Sequence, residues 1–201
     1  MVSMLQASLR APVTRIITPL CRGLLRLGLT ANAMTVIGSL ATIISAIYFF
    51  ARGELFVGTI VITVVVLTDL LDGTLARMSE AGPSKWGALL DSTLDRVGDS
   101  VIIGSLIYWF YQSHDRLIPV ALISLVASGL VSYVKARAES LQLECSGGFA
   151  ERTERLVILL VAAGLSGLGI PYVLAIGMWL LAFASTLTVL QRLMIVYRAT
   201  H

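Results

Sequence analysis

The sequence is poor in charge. Asp, Glu, Lys and Arg make up 13% of its 201 residues, about half the roughly 25% usual for soluble domains. Hydrophobic residues make up 57% and gather into long runs. A soluble globular domain is excluded, and the chain reads as an integral membrane protein. Cysteine is scarce as well. The only two, Cys21 and Cys145, stand alone and match no metal or redox spacing. Both read as inert thiols. No basic surface is interleaved with aromatics, which argues against nucleic acid as a partner. There is no internal repeat and no low-complexity stretch. A cleavable leader is not expected, because Arg10, Arg15, Arg22 and Arg26 break up any apolar core near the N-terminus.

What is present is a series of apolar segments, near residues 33–51, 55–77, 86–112, 117–140, 152–168 and 171–196. The length of the chain has room for about six spans of roughly 20 residues. The expected fold is therefore all-α, with six transmembrane helices in a domain over 31–201. Ahead of it, residues 1–30 are expected to form an amphipathic juxtamembrane helix. Leu5, Leu9, Ile16, Leu20 and Leu27 fall within about 60° of one another at 100° per residue. Arg15, Arg22 and Arg26 fall opposite, so this helix could lie in the membrane interface or pack on the bundle. Turn signals separate the segments at Arg52-Gly53, Gly82-Pro83, Ser113–Asp115, Ser146–Gly148 and Gly167–Pro171. Six spans would put both termini on one side, with the N-terminal arginines, Arg77, Lys85, Lys135, Arg137, Arg152, Arg155, Arg192 and Arg198. Only Arg52 and Arg116 fall on the other. The positive-inside rule makes the first side cytoplasmic, and the chain a multi-pass protein of the cell (plasma) membrane.

Four aspartates interrupt this apolar pattern. They lie in Asp69-Leu-Leu-Asp72-Gly73-Thr-Leu-Ala76-Arg77 and in Gly87-Ala-Leu-Leu-Asp91-Ser-Thr-Leu-Asp95. A carboxylate at the bilayer centre costs about 2.5–3.5 kcal/mol on insertion scales, and four close together repel one another. On a helix, Asp69, Asp72, Gly73, Ala76 and Arg77 share a sector of about 140°. Gly87, Asp91 and Asp95 form an i, i+4, i+8 stripe that Asp99 continues. If the two faces meet, four carboxylates converge, and two divalent cations would cancel their charge. Oxygen-only ligands suit Mg²⁺, Mn²⁺ or Ca²⁺. Two such ions about 3.5–4 Å apart clamp the attacking and leaving oxygens of a phosphoryl displacement. The competing readings are Asp–Arg pairs that tie helices together, such as Asp72–Arg77 or Arg96–Asp99, and a divalent-cation transporter or channel. Against transport, the acidic residues all sit toward one side and no half-site repeat is evident.

The spacing Asp-x2-Asp-Gly-x2-Ala-Arg, nine residues, then Gly-x3-Asp-x3-Asp resembles the signature of the CDP-alcohol phosphotransferases, with all eight fixed positions filled. The signature covers residues 69–95. Thr30-Ala31-Asn32-Ala-Met-Thr35 is similar to the family's Pro-Asn-x2-Thr element, with Ala31 in place of the proline. The resemblance implies transfer of a phosphatidyl group from CDP-diacylglycerol to an alcohol, with release of CMP. It implies that Asp69, Asp72, Asp91 and Asp95 hold two ions, Mg²⁺ or Mn²⁺, and that Asp95 is also the catalytic general base. It places Ala31, Asn32, Thr35, Gly73, Arg77 and Ser84 at the cytidine diphosphate, and it implies a homodimer surrounded by membrane lipids.

A second cluster bears on the acceptor. Lys135, Arg137, Arg152, Arg155 and Arg192 sit at three helix ends, and cations so gathered suit a phosphate. Anchoring to lipid headgroups is the plainer reading of the same residues. Two family reactions use a phosphorylated acceptor. One takes inositol 1-phosphate (1D-myo-inositol 3-phosphate) to phosphatidylinositol phosphate, and the other takes glycerol 3-phosphate to phosphatidylglycerophosphate. The run Lys135-Ala-Arg137-Ala-Glu139, followed by Gly147-Gly-Phe-Ala-Glu151-Arg152-Thr-Glu154-Arg155, is most similar to the bacterial members that make phosphatidylinositol phosphate. Inositol 1-phosphate is therefore the expected acceptor.

Overall fold

The computed structural model describes residues 30–78, 84–145 and 147–200; along 68–78 it describes the helical backbone. These residues form α1 (Ala31–Phe49), a 3-10 turn (Phe50–Arg52), α2 (Leu55–Met78), α3 (Lys85–Gln112), α4 (Ile118–Ser140), α5 (Arg152–Gly167) and α6 (Val173–Thr200). Local chemistry sets the starts. The Thr30 hydroxyl accepts the Ala33 N–H at 3.2 Å, and the Ser84 hydroxyl accepts the Gly87 N–H at 2.9 Å. Each is an N-cap satisfying an orphan amide of the first turn. Between α1 and α2, Gly53 takes φ 78° and closes the 3-10 turn, a left-handed position that glycine adopts without strain. Pro119 stands in the first turn of α4, where a missing N–H costs nothing.

The expectation of six transmembrane helices is corrected. Among the described residues, three helices are long and apolar enough to cross a membrane: Ala31–Arg52, Ile118–Ser140 and Val173–Thr200. The physical reasons differ for the other three. In α2 the apolar run among the described side chains is Leu55–Leu67, about 20 Å at 1.5 Å per residue, and the later turns carry Asp69, Asp72 and Arg77. In α3, Lys85, Asp91, Asp95, Arg96 and Asp99 crowd the first 15 of its 28 residues. The 16 residues of α5 begin with Arg152, Glu154 and Arg155 and reach about 24 Å, short of a hydrocarbon core of about 30 Å. The chain is an all-α, multi-pass membrane protein. The expected amphipathic helix over 1–30 lies outside the described residues except for its last residue, Thr30.

The described chain divides into two compact units. The first holds residues 30–42, 64–78 and 84–97; the second holds 43–63, 98–145 and 147–200. In the second unit α6 packs against both α4 and α5. Its core is Phe50, Ile62, Ile102, Leu106, Phe110, Met178 and Leu181, all fully buried. Small and hydroxyl residues bring the helices close, as they do in membranes where packing rather than hydrophobicity drives association. A methyl group at Gly177 would overlap Cβ of Ala162, and one at Gly167 would overlap the Phe56 backbone. The buried Ser124 hydroxyl lies 2.9 Å from the Val120 carbonyl and 3.3 Å from that of Met178. The Ser128 and Ser185 hydroxyls meet at 3.4 Å.

Candidate active site

The acidic residues belong to the first unit. Asp69, Asp72, Gly73 and Arg77 lie on the last turns of α2, and their side chains lie outside the described residues. Asp91 and Asp95 are half-buried, one turn apart on α3. They are all-oxygen donors with part of their surface withdrawn from water, which fits a hard divalent ion. Among the described residues, no three His, Cys, Asp or Glu side chains gather as a metal cage.

The starts of α1 and α3 meet at a glycine. A Cβ on Gly87 would stand 2.8 Å from Asn32 Oδ1 and 3.0 Å from Ser84 Oγ. Two of the residues expected at the nucleotide, Asn32 and Ser84, are therefore brought together, with the half-buried Gly87 between them. The Ser84 hydroxyl still caps α3, so its position is fixed by the helix it starts. Thr35 is buried, and its hydroxyl donates to the Ala31 carbonyl at 3.1 Å. Ala31 thus supplies a backbone acceptor one turn earlier.

The cationic residues belong to the second unit, and the structure sorts them. Arg192 is 3% exposed. Its Nε donates to the Gly147 carbonyl at 3.0 Å, Nη1 donates to the Val131 carbonyl at 2.7 Å, and Nη2 lies 3.6 Å from the Glu151 carboxylate. Arg155, also buried, donates from Nη1 to the Ala150 carbonyl at 3.0 Å. Thr188 completes the frame: its hydroxyl accepts the Ala150 N–H at 3.0 Å. Two buried arginines thus hold the 147–151 loop against α4, α5 and α6. Arg152, at the start of α5, is one-third exposed and pairs with Asp99 at 3.4 Å. A small cavity lies beneath, lined by Asp99, Ser128, Arg155 and apolar side chains. Lys135 is half-buried one turn beyond Val131 on α4. Arg137 stands about 200° round the helix from Lys135. It is exposed and contacts the Ser140 hydroxyl at 3.3 Å, so it is not drawn into the cluster.

Sequence reasoning missed two partners. Asp99 was a candidate to pair with Arg96, but Arg96 donates to the Ser92 carbonyl of its own helix, and Asp99 takes Arg152. Glu151 was unassigned, and it faces Arg192. The stripe Asp91, Asp95, Asp99 and the alternating signs of 151–155 were the available signals, but neither names a partner.

The family model for CDP-alcohol phosphatidyltransferases matches residues 28–196. The chain belongs to that family. It is 46% identical over 189 residues to the phosphatidylinositol phosphate synthase of Mycobacterium tuberculosis strain H37Rv, covering 92% of this chain and 87% of that protein. The phosphatidylinositol phosphate synthase of Streptomyces avermitilis is 43% identical over 205 residues, covering 98% of this chain and 84% of the relative. Among solved structures, the Mycobacterium tuberculosis synthase with CDP-DAG bound superimposes with a TM-score of 0.88 at 45% identity, covering 91% of this chain and 94% of that one. The same synthase in complex with manganese and citrate gives 0.86 at 44% identity, over 90% and 88% of the two chains.

Proposed function

We propose that this chain transfers the phosphatidyl group of CDP-diacylglycerol to a hydroxyl of an inositol phosphate, giving phosphatidylinositol phosphate and CMP. The observation that carries this reading is the likeness to phosphatidylinositol phosphate synthases over nine-tenths of the chain. The acceptor is inositol 1-phosphate (1D-myo-inositol 3-phosphate), whose phosphate calls for the cations of the second unit.

The residues divide the work. Asn32, Ser84 and the bare Gly87 backbone receive the cytidine diphosphate, with Ala31, Thr35, Gly73 and Arg77. Asp69, Asp72, Asp91 and Asp95 hold two divalent ions, Mg²⁺ or Mn²⁺, which when bound neutralise the phosphate charge that builds during transfer. Asp95 takes the proton from the acceptor hydroxyl. That oxygen forms a bond to the phosphorus bearing the diacylglycerol as the bond to the CMP oxygen breaks. Arg152 and Lys135 contact the acceptor's phosphate, and Arg155 and Arg192 hold the loop that positions Arg152. The positive-inside rule puts the active site, flanked by Arg77 and Lys85, on the cytoplasmic side of the plasma membrane. The family resemblance further implies a homodimer.

The test is CMP release from CDP-diacylglycerol by purified protein with a panel of acceptors. Inositol 1-phosphate is expected to support the highest rate, and glycerol 3-phosphate, inositol and serine much lower ones. Glycerol 3-phosphate matching or exceeding it would overturn the acceptor. Asp95→Asn is expected to lose at least about 10²-fold in turnover, in keeping with removal of a general base, while its unfolding midpoint stays near that of the parent. A fully active variant would remove Asp95 from that role.

A further inference from the structure

Asp99 takes no part in the transfer as assigned above, yet it lies against a residue that does. It stands on α3, the helix that carries Asp91 and Asp95. Its carboxylate Oδ2 accepts from Nε of Arg152 at 3.4 Å, across 53 positions of the chain, and both residues belong to the second unit. Arg96, the nearer cation in sequence, donates instead to the Ser92 carbonyl of its own helix. The Asp99 side chain is 21% exposed and that of Arg152 34%, so the carboxylate is the more withdrawn from solvent. Asp99 also lines a cavity of about 20 Å³ with Ser128 and Arg155, both buried.

An ion pair this exposed adds little stability. It also sets a negative charge beside a cation that receives a phosphate, which by charge alone would weaken that binding. Both disadvantages are offset if the carboxylate decides where the guanidinium points. Arginine carries five N–H donors in a rigid fork, so a carboxylate on Nε does not exhaust it. The edge formed by the two Nη groups matches two oxygens of a phosphate. A long side chain ordered before its ligand arrives loses less freedom on binding. We propose that Asp99 is a positioning residue for the acceptor: through Nε it aims Arg152 so that the Nη edge meets the acceptor's phosphate. This rests on the assignment of Arg152 to that phosphate made above.

The test is steady-state kinetics of the purified full chain with CDP-diacylglycerol and inositol 1-phosphate, for the parent, Asp99→Asn, Arg152→Ala and the double variant. Asp99→Asn is expected to raise the acceptor KM about fivefold, the factor that prior ordering of one long side chain is worth. KM for CDP-diacylglycerol and the unfolding midpoint are expected to stay near those of the parent. The sign is decisive, because relief of repulsion alone would lower the acceptor KM. A carboxylate that acts through Arg152 has no effect once Arg152 is gone, so the double variant is expected to match Arg152→Ala. Asp99→Glu keeps the charge, and the adjoining cavity has room for its added methylene; it is expected to fold and to raise the acceptor KM less than Asp99→Asn does. An acceptor KM that falls or stays unchanged in Asp99→Asn, or effects of the two substitutions that simply multiply, would overturn the proposal. So would an Asp99→Glu variant as impaired as Asp99→Asn. A lowered midpoint with both KM values rising together would make the pair a tie between helices, and that too would overturn it. An Arg152→Ala variant with an unchanged acceptor KM would overturn the assignment of Arg152 itself, and the proposal with it.

Discussion

Arginine serves two ends in the second unit, and burial separates them. Arg192 donates to two carbonyls and faces a carboxylate while 3% exposed. Replacing it by Met removes its hydrogen bonds to the Val131 and Gly147 carbonyls, and bonds made by a charged group are worth about 1.5–3 kcal/mol each. Arg192→Met is therefore expected to lower the unfolding midpoint and to raise KM for the acceptor as the 147–151 loop loosens. Arg152 is one-third exposed and pairs with Asp99 at 3.4 Å, and exposed pairs of this kind add little stability. Arg152→Ala is expected to raise the acceptor KM with the midpoint nearly unchanged. Equal thermal losses in the two variants would contradict this division. Gly87 gives a second residue-scale test. A methyl there stands 2.8 Å from Asn32 Oδ1, so the flexible carboxamide must turn aside while the helices stay in place. Gly87→Ala is expected to raise KM for CDP-diacylglycerol about fivefold, the value of roughly 1 kcal/mol of hydrogen bonding, and to leave the acceptor KM alone. A shift in the acceptor KM instead would move the nucleotide away from Asn32.

At the scale of elements, the helices meet through residues with little or no side chain. A methyl at Gly177 overlaps Ala162 of α5. Neither position is a flexible tip, so the backbones must separate. Gly177→Ala is expected to cost about 1–3 kcal/mol, as overpacking does, read as a lower unfolding midpoint in detergent. Gly104→Ala, which meets nothing within 4 Å, serves as the control and is expected to be neutral or stabilising. An unshifted Gly177→Ala would mean that α5 and α6 are not held at this spacing. The helix positions were legible because punctuation is local: Arg52-Gly53 and the Gly167–Pro171 run mark real ends. The number of spanning helices was not. Hydrophobic content was counted as span, although in α2 and α3 it shares the helix with aspartates and α5 is too short. The acidic signature was legible for the same local reason, since its residues lie one or two turns apart. The Asp99–Arg152 pair bridges 53 positions, and periodicity within one helix says nothing about a partner that far along the chain.

For the whole molecule, the scarcity of charge makes the acidic residues thermodynamically conspicuous. Only 12 of 201 residues are Asp or Glu, and five of them fall between positions 69 and 95, the four aspartates of the signature and Glu80. Like-charged carboxylates on helices that also bury apolar surface oppose folding unless cations accompany them. A divalent ion that binds the folded chain more tightly than the unfolded one adds stability by mass action, about 2.7 kcal/mol at a hundredfold excess over Kd. In a domain of this size that is several degrees of unfolding midpoint. Titrating Mn²⁺ or Mg²⁺ into chelator-treated protein is therefore expected to raise the midpoint progressively. The double variant Asp91→Asn, Asp95→Asn is expected to start at or above the chelated parent, because two repelling charges are gone, and to respond weakly or not at all to metal. Scanning calorimetry in detergent distinguishes these outcomes without any turnover. A parent whose midpoint ignores divalent ions, or a double variant that responds as the parent does, would show that these carboxylates are not where the ions bind.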